Sequence, residues 1–178
     1  GDMQKFHGEF SIGLLSVGAS VEGPIWKGKT SFLVSARRSW ADLFGVPIQN
    51  QIVEDNGGNG AVVNYYFYDV NFKLKHKFSD KNFLILNGYF GDDYLKYTET
   101  NTLQFRIGGD DLEKYIQNED VLQWGNKIVG LNWHSQLSEN LFMIAQANYS
   151  HYNYESSTEN NAELYEVIGS DTASYVTD

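Results

Sequence analysis

Between Tyr68 and Phe78 the chain alternates with a period of two. Tyr68, Val70, Phe72, Leu74, His76 and Phe78 take the even positions, and Asp69, Asn71, Lys73, Lys75 and Lys77 the odd ones. In a β-strand successive side chains point to opposite faces. One face of this segment is then mostly apolar and the other wholly polar. A helix, with its longer period, would mix the two sets. The segment therefore reads as a strand with one greasy side and one wet side.

The same pattern recurs. Leu84, Leu86, Gly88 and Phe90 oppose Phe83, Ile85, Asn87 and Tyr89. Val129, Leu131, Trp133 and Leu137 oppose Gly130, Asn132, His134 and Gln136. Leu141, Met143, Ala145, Ala147 and Tyr149 oppose Gln146, Asn148, Ser150 and Tyr152. Val17, Ala19 and Val21, then Phe32, Val34 and Ala36, repeat it near the start. Leu14-Leu15 breaks the parity, which predicts a β-bulge. Six strands follow, at roughly 7–24, 29–43, 65–78, 82–97, 122–137 and 140–154.

These strands pair as three hairpins. Their tight turns are Trp26-Lys-Gly-Lys29, Ser79-Asp-Lys-Asn82 and Leu137-Ser-Glu-Asn140, rich in turn-forming residues. Long polar links separate the hairpins: 45–64 with Asp55-Asn-Gly-Gly-Asn-Gly60, 98–120 with Gly108-Gly-Asp-Asp111, and the tail 155–178, which is read as entering a seventh strand at Glu163–Ile168. The predicted fold class is all-β, an antiparallel up-and-down meander of long hairpins. Turns short at one end and long at the other match an outer-membrane β-barrel. The chain, residues 1–178, reads as one such barrel segment.

Composition removes several function classes. A net charge of −10 offers no basic face for a phosphate backbone, so no nucleic-acid partner is expected. There is no cysteine, hence no disulfide, thiolate metal site or thiol nucleophile. No run of 18 apolar residues exists for a transmembrane helix, whereas a spanning strand needs only about 9–11 residues. Residues 1–25 lack the basic start and apolar core of a signal peptide.

Aromatic side chains gather at both ends of the strands. Trp26, Phe32, Phe78, Phe83, Trp133 and Phe142 lie near the tight turns; Phe44, Tyr66, Tyr68, Phe90, Tyr94, Trp124, Tyr152 and Tyr154 lie at the other ends. Val34, Ala36, Val70, Leu86, Ala145 and Ala147 fill the middle. Two aromatic girdles about an aliphatic band suit a bilayer. In that setting Arg37, Asn71, Lys73 and Lys75 line a wet lumen. Arg38 and Trp40, on the other face and near the outer rim, contact lipid, with Arg38 beside lipid phosphates or snorkelling into water.

Three stretches carry a family resemblance. FSIGLLSVGASVEGPIWKGKTSFLVSARRSWADL (10–43), YYFYDVNFKLKHKFSDKNFLILNGYFGDD (65–93) and WGNKIVGLNWHSQLSENLFMIAQANYSHYNYE (124–155) resemble, in order, hairpins in the barrel of Bacteroidetes-type TonB-dependent outer-membrane receptors. The resemblance implies a 22-stranded barrel, a plug domain within it, and a segment engaging the TonB system. It implies import of a large scarce nutrient such as a siderophore, cobalamin or glycan. The plug and a final aromatic-ended strand have no counterpart here, so a middle piece of the receptor is expected, one that self-associates in isolation. Two other readings stand beside it: a complete small structural or adhesion barrel, and a soluble β-rich carbohydrate-binding module.

No enzyme chemistry is expected. His7, His76, His134 and His151 sit on four separate strands without metal-ligand spacing. Asp55–Gly60 and Gly109–Asp111 offer oxygen atoms suited to Ca²⁺, but their spacing matches no EF-hand, and solvated loops are expected there. No catalytic group, metal or cofactor is assigned.

Overall fold

The computed structural model describes residues 2–168 and 171–175, with side chains up to Tyr165. The fold is all-β, as the alternation predicts. Its elements are β1 (His7–Ile12), β2 (Ser16–Trp26), β3 (Thr30–Ser39), α1 (Ala41–Asp55), β4 (Gly60–Ser79), β5 (Asn82–Ile107), β6 (Asp110–Ser138), β7 (Leu141–Ile168) and β8 (Asp171–Tyr175). They form one antiparallel up-and-down sheet in the order β1-β2-β3-β4-β5-β6-β7-β8. The sheet does not close into a barrel.

The three tight turns fall where expected. Residues 27–29, 80–81 and 139–140 are turns, and each joins sheet neighbours. Gly28 has φ of 73°, which its missing Cβ permits, and the Lys29 N–H donates to the Trp26 carbonyl at 2.9 Å. The register β3–β4 runs from Thr30↔His76 to Arg38↔Tyr68 without a slip. Val70, Phe72 and Leu74 therefore share one face, and Asn71, Lys73 and Lys75 the other.

Five expectations need correction. The predicted strand 7–24 is two strands: Leu14-Leu15 marks a chain reversal between β1 and β2, not a bulge. A register shift does occur in β2, between Pro24 and Trp26, where proline has no N–H for the ladder. The strand 29–43 ends at Ser39, and the link 45–64 holds α1 and the start of β4. The link 98–120 is largely strand, because Gly108 and Gly109, with φ of 65° and 106°, turn β5 into β6. Two consecutive residues at positive φ are the signature of a two-residue hairpin. Of the tail 155–178, residues 155–168 continue β7 and 171–175 form β8; the rest lies outside the described residues.

The chain divides into two compact units. The first holds 1–40, 66–93 and 124–154; the second holds 41–65, 94–123 and 155–178. Among the described residues neither unit buries a large apolar side chain. The buried positions with polar side chains are Ser31, Ser39, Asp69 and Ser135. Total accessible surface is 12120 Å², against roughly 8,800 Å² expected of a water-soluble monomer of 20.2 kDa.

Within the second unit α1 covers part of a strand edge. Asp42, Val46, Gln49 and Val53 recur at helical spacing and are half-buried. The Gln49 amide brackets Val63 of β4. Its Oε1 accepts from the Val63 N–H at 2.8 Å and its Nε2 donates to the Val63 carbonyl at 3.0 Å. One side chain thus supplies both hydrogen bonds of a missing neighbour strand. Phe44, Ile48 and Ile52 form the opposite stripe and stay exposed.

Candidate functional site

The strands of the first unit present two chemically opposed surfaces. On the polar one, register places Glu9 beside Ser20 and Ser35, and Gly18 beside Arg37. Arg37 faces Asp69 across β3–β4. The guanidinium donates twice to one oxygen, Asp69 Oδ2, from Nε at 2.9 Å and Nη2 at 2.7 Å. The Asp69 side chain is 9% exposed and that of Arg37 56%. Arg37 also lies 5.1 Å over the Phe67 ring. Gly18 leaves room here: a Cβ would come within 3.2 Å of Ser11 Oγ and 3.3 Å of the Ala36 carbonyl. The result is a shallow pocket of about 250 Å³ lined by Glu9, Ser11, Ser20, Ser35, Arg37 and Asp69.

Amides and one aromatic stack extend this surface toward the tight turns. Asn132 Nδ2 donates to Asn87 Oδ1 at 3.0 Å. Asn148 and Asn87 both crowd the space over Gly130, so a side chain there would push their amides aside. Lys75 Nζ sits 4.4 Å over Phe83, whose other neighbour, His134, stacks at 4.5 Å and 10°. The four residues expected on a wet face, Arg37, Asn71, Lys73 and Lys75, do share it. Sequence reasoning missed that Arg37 pairs with Asp69. Opposite charges on strands expected to pair were the available signal.

The other surface is apolar. Phe10, Ala19, Ala36 and Val70 form one row across β1 to β4, and Val21, Val34 and Phe72 the next. Phe72 stacks with Phe90 at 6.1 Å and 15°. Phe6 packs over Gly23 and lies 6.2 Å from Phe32. Toward the tight turns, Trp133 Nε1 donates to Asn82 Oδ1 at 2.8 Å, and Thr30 Oγ1 meets His76 Nδ1 at 2.8 Å. At the far end, Arg38 lines up with Val17 and Tyr68. Its guanidinium lies 5.1 Å over Tyr66, and Nη1 donates to the Ser39 carbonyl at 2.7 Å. Tyr68 donates to Asp92 Oδ2 at 3.3 Å. Trp40 Nε1 donates to the Gly13 carbonyl at 3.1 Å and so holds the β1–β2 turn.

The expected outer girdle is narrower than the sequence suggested. Phe44 lies in α1. By alternation Tyr152 and Tyr154 share the face of Asn148, the polar one. Trp124 shares the polar face of Gly130 and Asn132, and Tyr66, Tyr68, Phe90 and Tyr94 remain on the apolar face.

Ion pairs mark the turns. Lys77 Nζ meets Asp80 Oδ1 at 2.8 Å, and hydrogen bonding to it holds the Asp80 carboxyl below the usual carboxylate range. At the β5–β6 tip, Arg106 donates to both Asp111 oxygens, at 2.5 and 2.7 Å. That hydrogen bonding likewise lowers the Asp111 carboxyl. In the 55–60 loop, Asn59 Oδ1 accepts from the Thr102 N–H. Among the described residues, no three of His, Asp or Glu gather to hold a metal ion. No helix among them is long and apolar enough to cross a membrane.

The chain matches no family model, no curated protein and no solved structure.

Proposed function

We propose that this chain is a strand segment of the membrane-spanning barrel of a TonB-dependent outer-membrane receptor. Its apolar face meets lipid and its polar face lines the lumen through which a large nutrient passes. One observation carries the membrane reading: a two-faced sheet in which, among the described residues, no large apolar side chain is buried. Fully burying a Val, Leu or Phe side chain is worth about 1.5–3 kcal/mol. A soluble module would forgo that at position after position, whereas hydrocarbon supplies it without a second layer.

Dimensions support the same reading. From Thr30↔His76 to Arg38↔Tyr68 each strand runs nine residues, close to the about 9–11 that cross a bilayer at a barrel's tilt. Trp26, Phe78 and Trp133 lie at one end of that interval, Tyr66 and Tyr68 at the other. Charge is segregated too. The second unit carries 15 acidic and 3 basic residues, the first 8 acidic and 10 basic. So acidic a unit belongs in water, whereas the first unit carries the two-faced strands suited to lipid. The role in nutrient import rests on the resemblance of 10–43, 65–93 and 124–155 to receptor hairpins.

Paired cysteines test the membrane reading. Protein bound to vesicles and carrying Lys73→Cys should react with a water-soluble maleimide, while Phe72→Cys should be protected. Equal labelling, with the protein left in the aqueous phase on flotation, would reject it. In the full-length protein, removal of 65–93 should abolish uptake that depends on the proton motive force.

A further inference from the structure

The shallow pocket on the polar face carries charges of opposite sign at its two ends. Register sets Ser11, Gly18, Arg37 and Asp69 in one row across β1 to β4, and Glu9, Ser20, Ser35 and Asn71 in the next. Gly18 has no side chain to fill the centre of the first row. Arg37 is anchored by one edge of its guanidinium: Nε and Nη2 both donate to Asp69 Oδ2, at 2.9 and 2.7 Å. The second edge, Nη1 with the other Nη2 proton, presents two more N–H groups side by side. Among the described residues the hydrogen bonds of Arg37 go to Asp69 alone, so this edge is open, on a side chain that is 56% exposed. Glu9, exposed on β1, lines the other end of the same pocket. Two strand spacings, about 10 Å, separate its backbone from that of Arg37, and both side chains are long enough to reach inward.

We propose that this pocket binds a small zwitterion, an amino acid or dipeptide, with its carboxylate on the open edge of Arg37 and its ammonium group on Glu9. Two carboxylates and one guanidinium give the pocket an excess of negative charge. A bare anion would add to that excess beside Asp69, and a bare cation would leave the open guanidinium edge without a partner. A zwitterion adds no net charge and meets an opposite charge at each end. Hydrogen bonds assisted by charge are shorter and about twice as strong as neutral ones, so a neutral polyol of the same size uses the pocket less well. Ser20 and Ser35 line the pocket between the ends, with hydroxyl groups that donate or accept as an amide requires. Asp69 and Phe67 are positioning residues: the first holds the guanidinium by one edge, and the second lies 5.1 Å beneath it. The proposal goes beyond the receptor reading and does not need it, because the pocket lies on the polar face whatever covers the apolar one.

The test is a ligand-observed NMR titration of the full chain in neutral detergent. Four probes are compared: dialanine, its C-terminal amide, its N-acetyl derivative and glucose. Dialanine should bind about tenfold more tightly than either blocked form, and glucose should show no saturable binding. Glu9→Gln should make dialanine and the N-acetyl form bind alike. Arg37→Lys still neutralises Asp69 but has no second edge, so dialanine and its amide should bind alike there. Glu9 is exposed on an edge strand, so Glu9→Gln decides the question even if circular dichroism shows that Arg37→Lys has lost the sheet. Glu139→Gln, the same charge change at the β6–β7 turn, should leave binding as it is. Dialanine that does not bind, a blocked form or glucose that binds as tightly, or equal loss in Glu139→Gln would overturn the site. Flotation with neutral vesicles is read separately. Protein that never floats yet prefers dialanine overturns the membrane reading and leaves this site standing, and protein that floats without that preference overturns this site alone.

Discussion

Phe72 of β4 lays its ring over Gly88 of β5, in the space a Cβ at position 88 would occupy. The ring then stacks on Phe90. Gly88 is small because its neighbour is large, so the two positions are energetically coupled. Gly→Ala at an unstrained site stabilises by about 0.4–1 kcal/mol through the unfolded chain. At 88 the ring must swing aside, at about 0.5–1.5 kcal/mol for a poor rotamer, and its stacking on Phe90 goes too. Gly88→Ala should therefore cost about 1 kcal/mol in urea unfolding from micelles. Combined with Phe72→Ala, it should add no further loss. Additive effects in that double-mutant cycle would refute the coupling.

Arg37 and Asp69 form the second coupled pair. The Asp69 carboxylate is nearly buried, and Arg37 donates twice to its Oδ2. Arg37→Met would leave a buried charge short of its partner. Breaking a fully buried pair costs about 3–5 kcal/mol. More than half of the Arg37 side chain is exposed, so water screens much of this, and about 1–2 kcal/mol is expected. Asp69→Asn should cost less than Arg37→Met, since an amide oxygen still accepts. The reverse order in chemical denaturation would count against this account.

Alternation made the sheet legible. A polar–apolar period of two from Tyr68 to Phe78 has no helical interpretation, and glycine, asparagine and aspartate marked the three short turns. That Arg37, Asn71, Lys73 and Lys75 share one face followed from parity alone. What stayed hidden has physical reasons. In α1, Pro47 and Gly45 lower helix propensity. Its apolar stripe of Phe44, Ile48 and Ile52 faces outward, so no core-facing pattern announces the helix. The Gln49 bracket on Val63 is a tertiary contact. The outer part of β5 has polar residues on both faces, such as Glu99, Thr100, Asn101 and Thr102, which removes the alternation. Gly108-Gly109 was the one clue there, and it was read as a link instead of a hairpin turn. At Leu14-Leu15 the parity break was visible, but a bulge and a reversal look alike in sequence.

Gln49→Ala tests the covering of the β4 edge. It deletes the hydrogen bonds to both backbone groups of Val63, along with one to the Gly45 carbonyl. Each is worth about 0.5–1.5 kcal/mol net, so α1 should detach before the sheet melts. Faster amide exchange at Val63, with protection in β2–β3 unchanged, is the expected result. Unchanged exchange at Val63 would show that α1 is held by other contacts.

The β5–β6 tip should respond to acid. Hydrogen bonds from Arg106 lower the Asp111 carboxyl from its ordinary 3.8. A depressed folded pKa gives stability that is complete above the ordinary value and fades as pH falls through the folded one. The tip should keep its order from neutral pH down to about 4 and lose it only below. Both groups are exposed, so the effect is local and salt should weaken it. Carboxyl chemical shifts of Asp111 followed from pH 7 to 2 measure this. Arg106→Gln should move its midpoint up toward the ordinary range, and a midpoint indifferent to that substitution would contradict the pairing.

In detergent-free buffer the 178-residue chain should not stay monomeric. β1 and β8 end the sheet order, and β1 is exposed at all six positions. Its outer edge offers backbone N–H and C=O groups to any passing strand. The face bearing Phe10, Val34, Phe72 and Leu131 leaves apolar side chains accessible, and exposed apolar patches recruit partners. Two routes to association are open, edge to edge and face to face, and detergent discriminates between them. Micelles cover the apolar face but leave the edge free. Light scattering in detergent-free buffer should report large assemblies. Adding detergent should reduce them to small oligomers if the β1 edge also pairs, and to monomers if only the faces stack. Placing Lys at Phe10 should then affect the face-to-face assemblies most, because Phe10 points to the apolar side. A stable monomer in plain buffer with that face open to water would remove the ground for placing it against lipid.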